Sequence, residues 1–150
     1  MFVYFLIVAL VILCDFASKV LILNTLTKDM VIEVAPFFNL VLAMNKGISF
    51  SMFSNAGPYI LTALALGICA FIVYLLFTEK DNFTRCCLSL ILGGAIGNII
   101  DRIRFKAVVD FLDFHAFGHH WPAFNVADSC ICVGVILLLF RMILKKEKNK

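Results

Sequence analysis

Charge is scarce in this sequence: Asp, Glu, Lys and Arg together make up 15% of its 150 residues, and the formal net charge is only +3. No basic stripe interleaves with aromatic residues, so nucleic acid is not an expected partner. Loop thiols are absent too. All six cysteines (Cys14, Cys69, Cys86, Cys87, Cys130 and Cys132) fall inside apolar runs, where cysteine acts as a small hydrophobe and not as a staple between loops. Cys130 and Cys132 form a C-x-C, but no further thiol or histidine stands near them at zinc-ligand spacing.

What replaces charge is apolar surface. The hydrophobic fraction is 63% and the mean hydropathy is +1.02, against roughly 45–50% apolar content in a soluble domain. A water-soluble fold of this size could not hide so much. The length suits one domain, so the expectation is a single integral membrane domain over residues 1–150.

A helix crossing the bilayer core needs about 20 mostly apolar residues. Four stretches qualify, at about residues 2–23, 58–78, 86–103 and 125–144. The first has neither a basic start nor a small-residue cleavage site, and it carries Asp15 and Lys19. It therefore reads as a retained span and not as a secretory leader. Asp15 and Lys19 stand four apart, acid first, in the favourable order for pairing on one helix face.

Between the first two spans, the β-branched and aromatic segment NLVLAMNKGISFSMF is interrupted at Asn45-Lys46-Gly47, which predicts a surface hairpin or short sheet. Pro58 opens the second helix in its first turn. EKDNFTR, Glu79 to Arg85, reads as a charged turn. Gly93 and Gly97 make a G-x-x-x-G in the third span that permits close helix approach. A loop rich in aromatic residues and histidine follows Arg104, and Trp121 within it suits the headgroup level. The fold class is therefore all-α and membrane-spanning: four helices, a small β-structured segment outside the cytoplasm, and an outer loop between helices three and four.

Orientation follows the distribution of Lys and Arg. The tail KKEKNK with Arg141 carries five positive charges, and the second turn adds Lys80 and Arg85. This places both termini in the cytoplasm, against an opposing count of Lys28, Lys46, Arg104 and Lys106. The charged ends of helices one, three and four then share the outer face.

Ionisable groups at membrane depth are costly and mark function unless they merely pair. Asp15/Lys19 and Asp101/Arg102 can be read as ion pairs pinning helices. Asn98, Asp101 and Arg102 stand at i, i+3 and i+4, on one face. Asn125 and Asp128 can cap the fourth helix, whose dipole favours a carboxylate in its first turn. Asp110, in FKAVVDFLDF, has no such explanation. Asp113 reads as a solvated loop acid. With His115, His119 and His120 it could suggest zinc, but no H-E-x-x-H pattern is present, and no metal or other cofactor is expected. Ser18 and Ser129 lack a base on their own helix face.

Two carboxylates held close share one proton, so one serves as base and the other as acid. That chemistry suits hydrolysis of a peptide bond without a metal or a covalent intermediate.

At these residues the chain resembles the lipoprotein signal peptidases (signal peptidase II) of bacteria. The resemblance rests on DFASK at Asp15–Lys19, NKGISF at Asn45–Phe50, GGAIGNIIDR at Gly93–Arg102, VVDF at Val108–Phe111 and FNVADS at Phe124–Ser129. It implies an aspartic endopeptidase in the bacterial cytoplasmic membrane, acting near its outer face, which removes the signal peptide of a prolipoprotein on the amino side of a diacylglyceryl-modified cysteine. The catalytic aspartates would be Asp110 and Asp128. Asp15, Lys19, Asn45, Asn98, Asp101, Arg102 and Asn125 would support them or contact substrate. The implied partners are the diacylglyceryl prolipoprotein signal peptide and membrane lipid, and the chain is expected to act as a monomer. Ile48-Ser49 and Ser18 depart from the common family pattern, and the segment before the first span is short.

Two other classes compete. A proton- or ion-coupled transporter also uses intramembrane acids, but four spans without an inverted repeat are few for one. A scaffold built on G-x-x-x-G contacts leaves Asp110 unexplained.

Overall fold

The computed structural model of the chain describes residues 1–47 and 58–148. Four helices in it are long and apolar enough to cross a membrane: α1 (Phe2–Thr25), α2 (Pro58–Thr78), α3 (Asn82–Phe105) and α4 (Val126–Lys148). At about 1.5 Å per residue, the 24 residues of α1 or α3 exceed the roughly 30 Å hydrocarbon core. The remaining secondary structure is one antiparallel sheet in the order β1 (Ile32–Ala35), β2 (Phe38–Asn45), β3 (Val108–Ala116), β4 (His119–His120).

Helix α3 is the centre of the bundle, packed against α1, α2 and α4, while α1 also meets α4. An apolar core of Val8, Cys69, Ile72, Leu76, Leu88, Leu92 and Ile99 joins α1, α2 and α3. Glycines let the helices close. A methyl group on Gly93 would lie 2.7 Å from Val11 Cβ, and one on Gly97 would lie 2.6 Å from Asp15 Oδ2, so both glycines of the G-x-x-x-G face α1. The α4 contact falls to Gly94, where a methyl group would lie 2.4 Å from the Ala127 carbonyl oxygen.

The start of α3 differs from the sequence expectation. Asp81 caps the helix by accepting from the Thr84 amide at 3.1 Å, so the helix begins at Asn82 and the charged turn shrinks to Glu79–Asp81. Arg85 is thus helical, its guanidinium over the Tyr4 ring. At the other end, Lys106 takes a left-handed conformation (φ 57°) and closes α3 with a bond from its amide to Arg102 O. That cap turns the chain directly into β3.

The sheet also goes beyond the expectation of a hairpin on one side and a loop on the other. The β1–β2 hairpin turns at Pro36-Phe37, ahead of the expected break, and Asn45 ends β2. The segment after Arg104, expected as a loop, supplies two strands, and β3 pairs with β2 from Phe38↔Phe114 to Asn45↔Val108. Val108 to Phe111 are buried on both faces, so the strand lacks the alternation that marks a half-buried one. The NKGISF motif beyond Gly47, including Ile48 and Ser49, lies outside the described residues.

Candidate active site

Three backbone junctions meet where the helices end and the sheet begins. Asp110 is the third residue of β3, Asp128 lies in the first turn of α4, and Asn98 and Asp101 lie in the last two turns of α3. Sequence distance is bridged because β3 leaves α3 at its cap and the chain returns to α4 through backbone bonds between Leu112 and Phe124.

Asn125 links the two carboxylates. Its side chain is fully buried. The amide nitrogen donates to Asp110 Oδ1 at 2.7 Å and to the Val109 carbonyl at 3.3 Å, while its oxygen accepts from the Asp128 backbone amide at 2.8 Å. Asn98 completes the bridge: its amide donates to Asp128 Oδ1 at 2.8 Å, and its oxygen accepts from Asn125 at 3.3 Å. Asn125 therefore does cap α4, as the sequence suggested, and in doing so fixes Asp110 relative to Asp128.

Beneath this layer sits a buried cation between two buried acids. Lys19 Nζ lies 2.7 Å from Asp15 Oδ2 and 2.9 Å from Asp101 Oδ2, and it donates to Asn98 Oδ1 at 3.1 Å. All three ammonium protons are thereby used. Each acid spends another lone pair on the backbone. Asp101 accepts from the Val109 amide at 3.0 Å, and Asp15 accepts from the Ala127 amide at 2.9 Å. Val109 immediately precedes Asp110, and Ala127 immediately precedes Asp128. One charge cluster thus grips the chain next to both carboxylates.

Asp110 is 2% exposed. Burial pushes its carboxyl up to about 7, and the nearby Asp128 charge adds to that; hydrogen bonds from Asn45 and Asn125 pull the other way. Asn45 donates to Asp110 Oδ2 at 2.9 Å from the end of β2. The Asp110 carboxyl is thus bonded on both oxygens and poised to hold a proton near neutrality. Arg102 donates to the Gly47 carbonyl at 3.2 Å, and its charge reaches Asp128 and Asp110.

A search of known families matches residues 7–144 to the family described as signal peptidase (SPase) II. The chain belongs to the signal peptidase II family. It is 48% identical over 132 residues to the lipoprotein signal peptidase of Ralstonia nicotianae, covering 85% of this chain and 76% of that protein. It is 40% identical over 136 residues to that of Thermodesulfovibrio yellowstonii, covering 91% of each. Among solved structures, a bacterial membrane enzyme determined by the in meso method at 2.3 Å resolution superposes with a TM-score of 0.91 at 30% identity, covering 100% of this chain and 93% of that one. Signal peptidase II is a family of aspartic peptidases, so the chain is a hydrolase of that class and a multi-pass membrane protein.

The structure gathers Asp15, Lys19, Asn45, Asn98, Asp101, Arg102, Asp110, Asn125 and Asp128 into this one polar cluster. Some partnerships differ from those the sequence suggested. Asp101 pairs with Lys19 across helices and not with its neighbour Arg102, because consecutive helix residues do not face each other. Asp113 is buried and not solvated: on β3 it accepts from Asn39 at 3.2 Å and faces His120 Nδ1 at 2.9 Å. Ser18 and Ser129 donate to backbone carbonyls of their own helices. Sequence reasoning missed the amides of Val109 and Ala127 and the Gly47 carbonyl, since backbone groups carry no residue signal. It also passed over Asn39, whose only hint was its place in an otherwise apolar strand.

Proposed function

We propose that this family member is an intramembrane aspartic endopeptidase that removes the signal peptide from diacylglyceryl-modified prolipoproteins, cutting on the amino side of the lipidated cysteine, with Asp110 and Asp128 as the catalytic pair. The observation that carries this reading is the single hydrogen-bonded cluster through Asn125 and Asn98, which holds two carboxylates from distant parts of the chain together. The relatives' shared designation as lipoprotein signal peptidases supports the substrate class.

In the proposed reaction one carboxylate takes a proton from water as the hydroxyl oxygen adds to the scissile carbonyl carbon. The other, protonated, gives its proton to the carbonyl oxygen. On collapse the carboxyl that took the water proton gives it to the leaving amine as the peptide C–N bond breaks. The other carboxylate takes back a proton from the tetrahedral intermediate's hydroxyl as the carbonyl re-forms, returning the pair to its singly protonated state. Asn45, Asn98 and Asn125 position the carboxyl oxygens. The Lys19 cluster fixes the backbone behind them.

The distribution of Lys and Arg supports a cytoplasmic-membrane enzyme with cytoplasmic termini and a site near the outer face. The test uses the purified chain alone in phospholipid vesicles with a diacylglyceryl prolipoprotein, the products being read by mass. A released signal peptide and a mature chain beginning at lipidated cysteine are expected. An intact substrate, or a cut elsewhere, contradicts the proposal.

A further inference from the structure

We propose that the tip of the β3–β4 hairpin is a membrane anchor, in which Phe117 and Trp121 enter the lipid interface beside the helix bundle and steady the strand that carries Asp110. The first observation is the turn itself. Phe117 is 102% exposed and adopts φ 52°, followed by Gly118 at φ 77°. Tight hairpin turns with two left-handed residues favour Asn, Asp or Gly at the first of them, since a side chain there is strained. A bulky apolar residue at that place, facing only water, has no benefit to set against the strain.

The second observation is that the hairpin is two-faced. Strand side chains alternate between faces. Phe114 stacks on Phe38 with ring centroids 4.6 Å apart, and the register His115↔His120 with the bond from the Trp121 amide to Phe114 O sets Trp121 opposite Phe114. The alternate positions, Asp113, His115 and His120, are polar and touch one another. Trp121 is 62% exposed and Phe37, beside Phe114, is 57% exposed. Asp110 has the same strand parity as Phe114, so the aromatic face continues the face that carries Asp110.

The third observation names the occupant. The hairpin joins α3 to α4, two spans that end at the bilayer edge, and from Phe114 to Ala127 the sequence contains no Asp, Glu, Lys or Arg. An aromatic, amphipathic element with a tip free of these charged residues, tethered there, meets the headgroup region, where tryptophan is most at home. This inference does not depend on the peptidase reading.

Trp121 is the only tryptophan in the chain, so its fluorescence reports the tip alone. The protein is reconstituted in phosphatidylcholine vesicles with or without lipid brominated on the upper acyl chain, and iodide is added on both sides. The expected result is emission at shorter wavelength than indole in water, strong quenching by brominated lipid and weak quenching by iodide. Water-like emission quenched by iodide but not by brominated lipid overturns the proposal, even if added substrate later shields the residue. Quenching by neither agent overturns it too, since the ring would then be covered by protein. In Phe117→Ser, a change at a fully exposed position, bromolipid quenching should fall and iodide quenching rise. No change in either removes Phe117 from the anchor.

Discussion

Helices α2 and α3 both cross the membrane, yet they are opposite kinds of span. The most apolar stretch of α2 has a mean hydropathy of 2.7 and is 22% buried within the protein, while that of α3 has 1.6 and is 50% buried. No Asp, Glu, Lys or Arg occurs in α2, whereas α3 carries Asn98, Asp101 and Arg102 near its end. The difference shows what makes polarity tolerable at membrane depth. A helix surrounded by lipid must be apolar all round, but one surrounded by other helices can carry charge if each group finds its partner inside the protein. The low hydropathy of α3 is therefore a mark of its central position.

The sharpest way to break this comparison is to leave the polar groups of α3 unpaired. In Lys19→Leu, Asp15 and Asp101 lose the cation between them, and one-sided removal of a buried pair costs roughly 3–5 kcal/mol. Thermal unfolding of the purified variant should show that loss. Wild-type stability would mean that the cluster is dispensable.

A smaller effect separates the two helices by their glycines. Gly94→Ala forces a methyl group against the Ala127 carbonyl, and overpacking of this kind costs about 1–3 kcal/mol. Gly67→Ala in α2 meets nothing within 4 Å and should leave stability unchanged or raise it by up to about 1 kcal/mol, the helix-propensity difference. Equal effects at the two positions would contradict the contrast between a packed and a lipid-facing span.

The mildest change tunes the dyad. Because the Asp110 carboxyl is pushed up to about 7, it keeps a proton below that pH and loses it above. Cleavage should therefore decline as pH rises through about 7, where the pair loses its acid. Asn45 stabilises the ionised form by donating to Asp110 Oδ2. In Asn45→Ala the declining limb should move to higher pH in a kcat/KM profile; a shift to lower pH would reverse the assigned role.

Much of this was legible in the sequence because long apolar runs and isolated acids within them are strong signals. The four spans, the Asp15–Lys19 pair and the prominence of Asp110 and Asp128 all rest on them. The sheet was only half legible. β3 is buried on both faces where it meets the helices and so shows no alternation, and its pairing with β2 joins residues such as Asn39 and Asp113 that lie far apart in the chain. The partner of Asp101 was hidden for a related reason. Sequence proximity suggested Arg102, while the fold brings Lys19 from another helix. The start of α3 turned on a single cap, Asp81, within a stretch whose charge alone suggested a turn.

The most direct test of the central claim is cleavage of a diacylglyceryl prolipoprotein by purified Asp110→Asn and Asp128→Asn, with thermal unfolding of each variant measured alongside. General acid–base groups contribute roughly 10²–10⁴-fold, so each variant should remain folded and lose at least about a hundredfold in rate. A folded variant of either kind that cuts at the wild-type rate would contradict the account.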